Sequence, residues 1–525
     1  MSFPFALTVV FAGGFVALSY EIVWFRVYSF LTGGSAPSFG VLLGAYLTGI
    51  AFGSLWSRRF CDTAGAASEA GSPGADPRRL GVPALLVAVS SLLGFLLVPA
   101  VAHTVVQANF AWTLPLVALI AGLLGATLPL VAHFGIAPDA HAGRRLSHLY
   151  LANIAGSTLG SIVTGFVLLD QLSLGAASLV LGAVGMALAA ILVWASQSPR
   201  RVVSLALLVV CTVAMAWARG PLYAESYERL MFKGSYKPGD PFSHVDESRH
   251  GVVTVTSNEG IFGGGMYDGR FNTRFLDNSN LISRAYALAG MHAAPKQVLM
   301  VGLSSGSWAQ VVAALPGVEK LTVVEISHGY LRVIPRYAQV ASVMTNPKIE
   351  IVIDDGRRWL QAHPDAKFDL IVQNTTWHWR GMITNLLSDE YFHVIKRHLN
   401  PGGVFYYNTT ESDHAQKTGC AVFRHGMRYF NFLAVSDSPV RVDPQRFGEH
   451  VARMEIDGQL AADPSQGDVG ARIAELQDLF SQPGGAGQLT EFCPSITART
   501  LELPFITDDN MVTEFGRDWR LMPEP

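Results

Sequence analysis

Apolar positions along this chain follow two regimes. Before Arg219 they form continuous runs, over Phe3 to Leu31, Phe39 to Trp56, Val82 to Ala102, Trp112 to Ala137, Leu149 to Leu169, Leu174 to Ala195 and Val202 to Ala218. Each run is near the roughly 20 residues that a helix needs to cross a bilayer, so the pattern predicts about seven spans, an all-α transmembrane bundle in residues 1–219. From Glu247 the period shortens to that of strands: GVVTVTSN and the turn-rich GIFGGGMYDGRFN predict a linker and small β region in residues 220–280. Strand and helix patterns then alternate from Leu281 to about Phe432, as in a parallel sheet with crossover helices, which predicts an α/β domain over residues 281–440. Residues 441–525 read as a helical and loop extension, with helical stretches at Phe447 to Met454 and Ala471 to Phe480 and a closing acidic block, ITDDNMVTEF.

Composition agrees with the division. Half of the 525 residues are apolar and 15% are charged, and the mean hydropathy of +0.30 is high for a soluble domain of this length. A net charge of -3 without a basic, aromatic-rich cluster argues against nucleic acid as a partner. The first run lacks a basic start and leads directly into a second, so it is expected to stay in the mature protein rather than to be cleaved as a signal peptide. Four cysteines, Cys61, Cys211, Cys420 and Cys493, have neither a Cys-x-x-Cys pair nor zinc-ligand spacing, so no metal is expected. Only Cys420 and Cys493 fall together in the soluble part, and their spacing does not decide whether they meet.

Within the runs, small residues recur four apart at Gly40 and Gly44, Gly49 and Gly53, and Gly156 and Gly160, which lets helix backbones approach. Glu21 and Arg26 are ionisable groups inside a span, expected to form an ion pair or, for Arg26, to reach the interface. Asn153 is expected to hydrogen-bond between helices. Ala64 to Pro77 reads as a flexible loop. Arg58, Arg59, Arg78 and Arg79 lie in the second connection, Arg144 and Arg145 in the fourth, and Arg200 and Arg201 in the sixth. Arginine-rich connections face the cytoplasm, so seven spans carry the soluble part outside, whereas nucleoside cofactors are cytosolic. Either one run does not cross or the soluble part is extracytoplasmic, and the sequence leaves the side open.

The chemistry concentrates between Val298 and Trp377. VLMVGLSSG is a strand ending in a Gly-x-x-x-Gly turn, where Gly302, Ser304, Ser305 and Gly306 allow a ligand close to the backbone before the next helix. About twenty residues on, Glu325 ends a second strand, where a carboxylate accepts hydrogen bonds from ribose hydroxyls. Asp354 and Asp355 end a third strand, at a position suited to an adenine amino group, and FDLIV delivers Gln373 and Asn374. Four polar strand ends on one sheet edge point to a Rossmann-like nucleoside pocket.

From about Asp246 to Phe432 these residues resemble spermidine synthase and related aminopropyltransferases, in the branch with an N-terminal multi-span domain. The resemblance rests on the Asp268–Gly269 turn, the Val298 to Gly306 loop, Glu325 in E-I-S, Asp354 to Gly356 in D-D-G, Phe368 to Ile371 in F-D-L-I, the stretch YFHVIKRHLNPGGVFYYN and, among the spans, LSHLYLANIAGSTLG. It implies a plasma-membrane, multi-pass transferase using S-adenosylmethionine or its decarboxylated form as substrate, without a metal, in polyamine biosynthesis. The partners implied are a small-molecule substrate and the lipid bilayer, and a homo-oligomeric state stays open.

Departures from the family's pattern fall at several of its motifs, most tellingly after the fourth strand. The family's G-G-G-D-G reads GLSSG here, with Ser305 in the acid position, and the Y-H-E motif expected near Leu281 to Ser283 and the Y-Q pair expected near His250 and Gly251 are absent. The family's D-x-x-D-P reads Asn374, Thr375, Thr376, Trp377, His378. An amine with a pKa near 10 must lose a proton before it attacks, and Asn374 cannot take one. His378 then becomes a candidate base, Trp377 and Arg380 candidate substrate contacts with Arg380 repelling a polyamine, and Asp508 and Asp509 candidate replacement acids. Methyl transfer, cleavage of the cofactor, a transport or sensor protein with a degenerate nucleoside domain and an inactive scaffold are the competing readings.

Overall fold

A computed structural model describes residues 1–65, 77–137, 139–375, 377–482 and 484–515. The expected flexible loop at Ala64 to Pro77 lies almost wholly outside the described residues.

Among the described residues seven helices are long and apolar enough to cross a membrane: α1 (Phe3–Leu31), α2 (Pro37–Cys61), α3 (Gly81–Thr104), α4 (Phe110–Gly135), α5 (Ala142–Gln171), α6 (Leu174–Ala195) and α7 (Arg201–Tyr223). At 1.5 Å per residue each is about 33 to 45 Å long, enough for the roughly 30 Å hydrocarbon core. α4 breaks at Ala126, and α5 ends in a π-helical turn at Thr164–Leu168. Glycine does what its spacing suggests at two pairs. A Cβ on Gly49 or Gly53 would sit 2.1 or 1.9 Å from the carbonyl oxygens of Ala118 and Gly122, and one on Gly156 or Gly160 would sit 2.0 or 2.4 Å from those of Phe11 and Phe15. Backbone contact there locks α2 on α4 and α1 on α5. Gly40 and Gly44 face open space instead.

Glu21 and Arg26 are not an ion pair among the described residues. Five positions apart, they point to different sides of α1, and Arg26 donates to the carbonyls of Leu169 at 3.1 Å and Ser248 at 2.6 Å. It therefore ties the bundle to the soluble part. Further ties run from Leu174 N to Glu247 Oε2 (2.8 Å), from Arg249 N to Asp170 Oδ1 (3.0 Å) and from Gly381 N to Gly34 O (2.8 Å). The soluble part thus docks on the first and fifth connections of the bundle, while the arginine pairs occupy the second, fourth and sixth, at the other ends of the same helices.

A four-stranded antiparallel sheet, β1 (His244–Ser248), β2 (Gly251–Val255), β3 (Gly260–Gly263) and β4 (Met266–Arg270), leads into the main sheet. The main sheet contains β5 (Gln297–Val301), β6 (Lys320–Glu325), β7 (Ile349–Ile353), β8 (Phe368–Gln373), β9 (Leu399–Asn408), β10 (His425–Tyr429), β11 (Phe432–Ser436) and β12 (Thr490–Phe492), in the order β12-β10-β11-β9-β8-β5-β6-β7. β5 to β9 are parallel, and β10, β11 and β12 add an antiparallel edge. Val298 and Met300 of β5 enter one core and Leu299 and Val301 the other, as expected of a strand covered on both faces. From β5 the chain runs outward to β6 and β7, then returns to β8 on the other side of β5. That reversal opens a crevice at the carboxyl ends of β5 and β8, where open α/β sheets bind ligands.

The extension beyond residue 440 is part of this sheet, because β12 pairs with β10, Met427 opposite Phe492. Cys420 and Cys493 are disulfide-bonded with Cα atoms 5.4 Å apart, joining helix Asp413–Val422 to helix Cys493–Arg499. Cys211 is free and half-buried.

Candidate functional site

The loop after β5 is shaped by backbone conformations that only glycine adopts easily. Gly302 and Gly306 have φ of +93° and +79°, and a Cβ on Gly302 would lie 2.8 Å from Asn374 O, so the two strand ends at the crevice touch through this glycine. Ser304 is also left-handed, φ +50°, with its hydroxyl donating to Asp268 O at 2.8 Å. Ser305, in the position of the family's acid, donates to Ser307 Oγ at 3.0 Å, and Ser307 in turn donates to Arg270 O at 2.8 Å. The serines fasten the loop to β4.

Below the loop lies Glu325, 4% exposed. Its Oε2 accepts Leu303 N–H at 2.8 Å and its Oε1 accepts Ser327 N–H at 2.7 Å. Burial pushes this carboxyl up to about 7, Asp268 nearby pushes the same way, and the two backbone donors pull it down. Each oxygen keeps a second lone pair for a ligand hydroxyl. Asp268 is raised by burial too, against the opposing pull of Arg380 and of the Tyr330 hydroxyl that bonds to it.

A cavity of about 730 Å³ opens above these groups. Its wall near β5 is Leu303, Ser304, Ser305 and Trp308, with Tyr267, Asp268, Gly269 and Arg270 from β4 beside it. Asn374, Thr375 and Trp377 close the β8 side, and Asn408, Arg428, Asn431, Glu491 and Arg499 form the far wall.

Of the residues anticipated from sequence, Ser304, Ser305, Asn374 and Trp377 line this cavity, while Gly302, Gly306 and Glu325 support it from behind. Others serve the fold in this structure. Gln373 is fully buried and donates to Leu386 O at 2.8 Å. Asp354 is bonded by Arg358 Nε at 2.6 Å, and Asp355 caps helix Gly356–Ala362 by accepting Arg358 N–H at 2.8 Å. His378 lies outside the cavity lining, held through its backbone by Thr410 Oγ1 (2.9 Å) and Thr513 Oγ1 (2.8 Å).

Two expectations are corrected by geometry. Arg380 does not face an amine site: it lies half-buried at the seam between domains, paired in a β-bridge with Ser35 and packed against Gly34 and Gly264, whose added Cβ atoms would meet it at 3.0 and 2.7 Å. Glycine at 34 and 264 makes room for the guanidinium. Asp508 is no replacement acid in the cavity, because it accepts Arg357 Nη1 at 2.7 Å, Arg357 Nη2 at 2.6 Å and Ser388 Oγ at 2.6 Å. The Arg357 bonds hold its carboxyl below the usual carboxylate range, and Asp509 beside it is exposed.

Comparison with known proteins follows the same geometry. Residues 286–442 match the spermine/spermidine synthase domain. A polyamine aminopropyltransferase of Mycobacterium tuberculosis (strain CDC 1551 / Oshkosh) is 26% identical over 98% of this chain and 96% of its own. The similarity thus runs along nearly the whole chain, and residues 286–442 carry the match to the synthase domain. Polyamine aminopropyltransferase 2 of Streptomyces coelicolor is 26% identical over 75% of this chain and 72% of its own. The spermidine synthase structure from Thermotoga maritima aligns with 45% of this chain and 88% of that one, at 18% identity and a TM-score of 0.34.

Sequence reasoning passed over Asp268 as chemistry, reading it only as half of a turn. Arg284, Asn408, Asn431, Glu491 and Arg499 also line the cavity. Arg284 directly follows the stretch where Y-H-E is absent, which was the one available signal; Asn408 ends β9, Asn431 lies between β10 and β11, Glu491 is in β12 and Arg499 ends helix Cys493–Arg499, and none carries a local pattern.

Proposed function

We propose that the chain is a membrane-integrated, spermidine synthase-like transferase whose crevice binds the adenosyl part of S-adenosylmethionine or its decarboxylated form. The observation that carries this is the cavity at the β5–β8 reversal, bounded by Ser304, Ser305 and Asn374 with Glu325 directly behind the loop. In the reaction a nucleophile bonds to the methylene carbon next to the sulfonium as the C–S bond breaks and its electron pair neutralises sulfur. The electrophile is intrinsic to the substrate, so the protein contributes orientation, water exclusion and a proton acceptor. Asn374 orients a nucleophile by hydrogen bonding, and Asp268, a carboxyl on the cavity wall with a raised pKa, takes the proton. Titrating the full-length protein in detergent with methylthioadenosine, S-adenosylmethionine and decarboxylated S-adenosylmethionine tests the reading. Binding of none of the three overturns it.

We further infer that the soluble domain faces the extracytoplasmic side of the plasma membrane. Two independent observations favour this: the domain docks on the connections opposite the arginine pairs, and Cys420 and Cys493 are bonded, as is usual where the compartment is oxidising. Such a domain draws its nucleoside from outside the cytoplasm, so placement and activity are tested separately. A cysteine introduced at exposed Asp457 should react with a membrane-impermeant maleimide on intact cells. Labelling only after lysis places the domain inside.

A further inference from the structure

The far half of the cavity is built for an anion. Arg284 is held with its guanidinium 5.0 Å from the Phe432 ring and 5.8 Å from that of Trp308, which stack on one another. It donates to the carbonyls of Leu281 (2.9 Å) and Asn280 (3.1 Å) and to Asn431 Oδ1 (2.6 Å). Among the described residues no carboxylate forms an ion pair with it. Desolvation draws its pKa below the ordinary arginine value, and only tyrosines oppose that shift; the group still carries its charge at neutral pH. A half-buried cation that faces a cavity calls for a counter-charge there.

The polarity of the neighbouring amides is fixed by that cation. Because Arg284 donates to the oxygen of Asn431, the Asn431 amide nitrogen is free to donate onward, which it does, to Asn408 Oδ1 at 2.8 Å. Asn408 Nδ2 donates in turn to Asn374 Oδ1 at 3.3 Å and to Thr375 O at 3.2 Å. Every amide oxygen in the chain from Arg284 to Asn374 is thereby engaged by the preceding donor, and the end of the chain at β8 presents the Asn374 amide N–H groups. Both ends are donors. The cavity's acids do not reverse this: Asp413 and Glu491 are paired with Arg499, Glu491 also with Arg428, Asp268 is bonded to Tyr330 beside the glycine loop, and Glu411 is exposed. A diamine, which needs carboxylates, finds hydrogen-bond donors and a cation here.

Resting on the adenosyl reading above, we propose that Arg284, with the Asn431–Asn408–Asn374 amide chain, binds a carboxylate of the ligand. The carboxylate is either that of S-adenosylmethionine itself or that of a separate amino-acid acceptor. In the first case the group displaced from sulfur keeps its carboxyl, and the same displacement transfers an aminocarboxypropyl group to the nucleophile, with methylthioadenosine leaving and the nucleophile's proton passing to Asp268.

The test is calorimetric titration of the detergent-solubilised full chain, with Arg284→Gln and Asn431→Asp variants. The second places an internal carboxylate on Arg284 at little cost to packing, so it serves even where Arg284→Gln does not fold. A charge-assisted hydrogen bond contributes about 1.5–3 kcal/mol, or roughly ten- to hundredfold in affinity. If the carboxylate is the sulfonium ligand's own, the native protein binds S-adenosylmethionine at least tenfold more tightly than the decarboxylated form, and both variants lose that preference while still binding methylthioadenosine. If it belongs to an acceptor, the two sulfonium ligands bind alike, and with methylthioadenosine present glutamate or another amino acid binds the native protein alone. Methylthioadenosine binding without either preference overturns the carboxylate site and leaves the adenosyl reading standing. Failure of every ligand to bind overturns both, and tighter binding of the decarboxylated form or of putrescine overturns the carboxylate site.

Discussion

Protonation of Glu325 should set both ligand affinity and folding stability, in opposite directions. Its carboxyl is shifted from an ordinary 4.5 to about 7 by burial, so at pH 6 the free protein holds it mostly neutral. Ribose hydroxyls donate hydrogen bonds and therefore favour the ionised form, so the neutral carboxyl must lose its proton before the ligand is accepted. Methylthioadenosine affinity should accordingly fall by up to about tenfold, or about 1.4 kcal/mol, for each pH unit below 7. Stability runs the other way. The native state retains a proton that the unfolded chain has already released, so this contribution is fully present below pH 4.5 and is lost as pH rises through about 7. Isothermal titration and thermal melts from pH 5 to 8 measure the two trends on one sample. Glu325→Gln should flatten both differences, bind weakly throughout, and melt lower because its amide sets an N–H against the donor of Leu303 or Ser327. An affinity slope that is absent in the native protein, or preserved in Glu325→Gln, refutes the assignment of Glu325 to the ribose.

Three further outcomes are expected. Asn374→Asp ends the amide chain in a carboxylate, so putrescine should raise the melting temperature of this variant and leave that of the native protein unchanged; equal shifts in both would show that the native cavity already accepts a diamine. Reducing Cys420–Cys493, which spans 73 residues, should cost the soluble domain about 4 kcal/mol on a chain-entropy estimate, visible as a lower melting temperature with reductant and absent in a Cys420→Ser, Cys493→Ser double variant. Asp508→Ala leaves Arg357 and Ser388 without the carboxylate they share, and should destabilise by roughly 1–3 kcal/mol while methylthioadenosine affinity stays within about twofold, the KD being the readout that separates a fold clip from a site acid.

What the sequence disclosed and what it withheld divide along the range of the contacts. The spans, the strand order from β5 to β8, and Ser304, Ser305 and Asn374 at the crevice follow from local periodicity and from where a strand must stop, and a local pattern conveys them. Arg380 could not be placed that way. Its neighbours Gly34 and Ser35 are about 345 positions earlier, and the same cation that looks like a repulsive wall beside Trp377 becomes part of a seam once the first connection of the bundle folds against it. Asp508 was mistaken for an active acid for a parallel reason, since its partner Arg357 is 151 positions away and no motif ties them. The amine side shows the limit most sharply. Read residue by residue, the loss of the D-x-x-D acids is a deletion of chemistry and invites the idea of an inactive scaffold. In three dimensions the acids are replaced by a directed chain, Arg284 to Asn431 to Asn408 to Asn374, whose members come from four separate segments and whose hydrogen bonds all run one way. Neutral amides oriented by a half-buried cation impose a ligand polarity as definite as the carboxylates they replace, and opposite to it. A site that had merely decayed would have no reason to keep every one of these amide oxygens satisfied, which is why a changed ligand explains the substitutions better than a lost one.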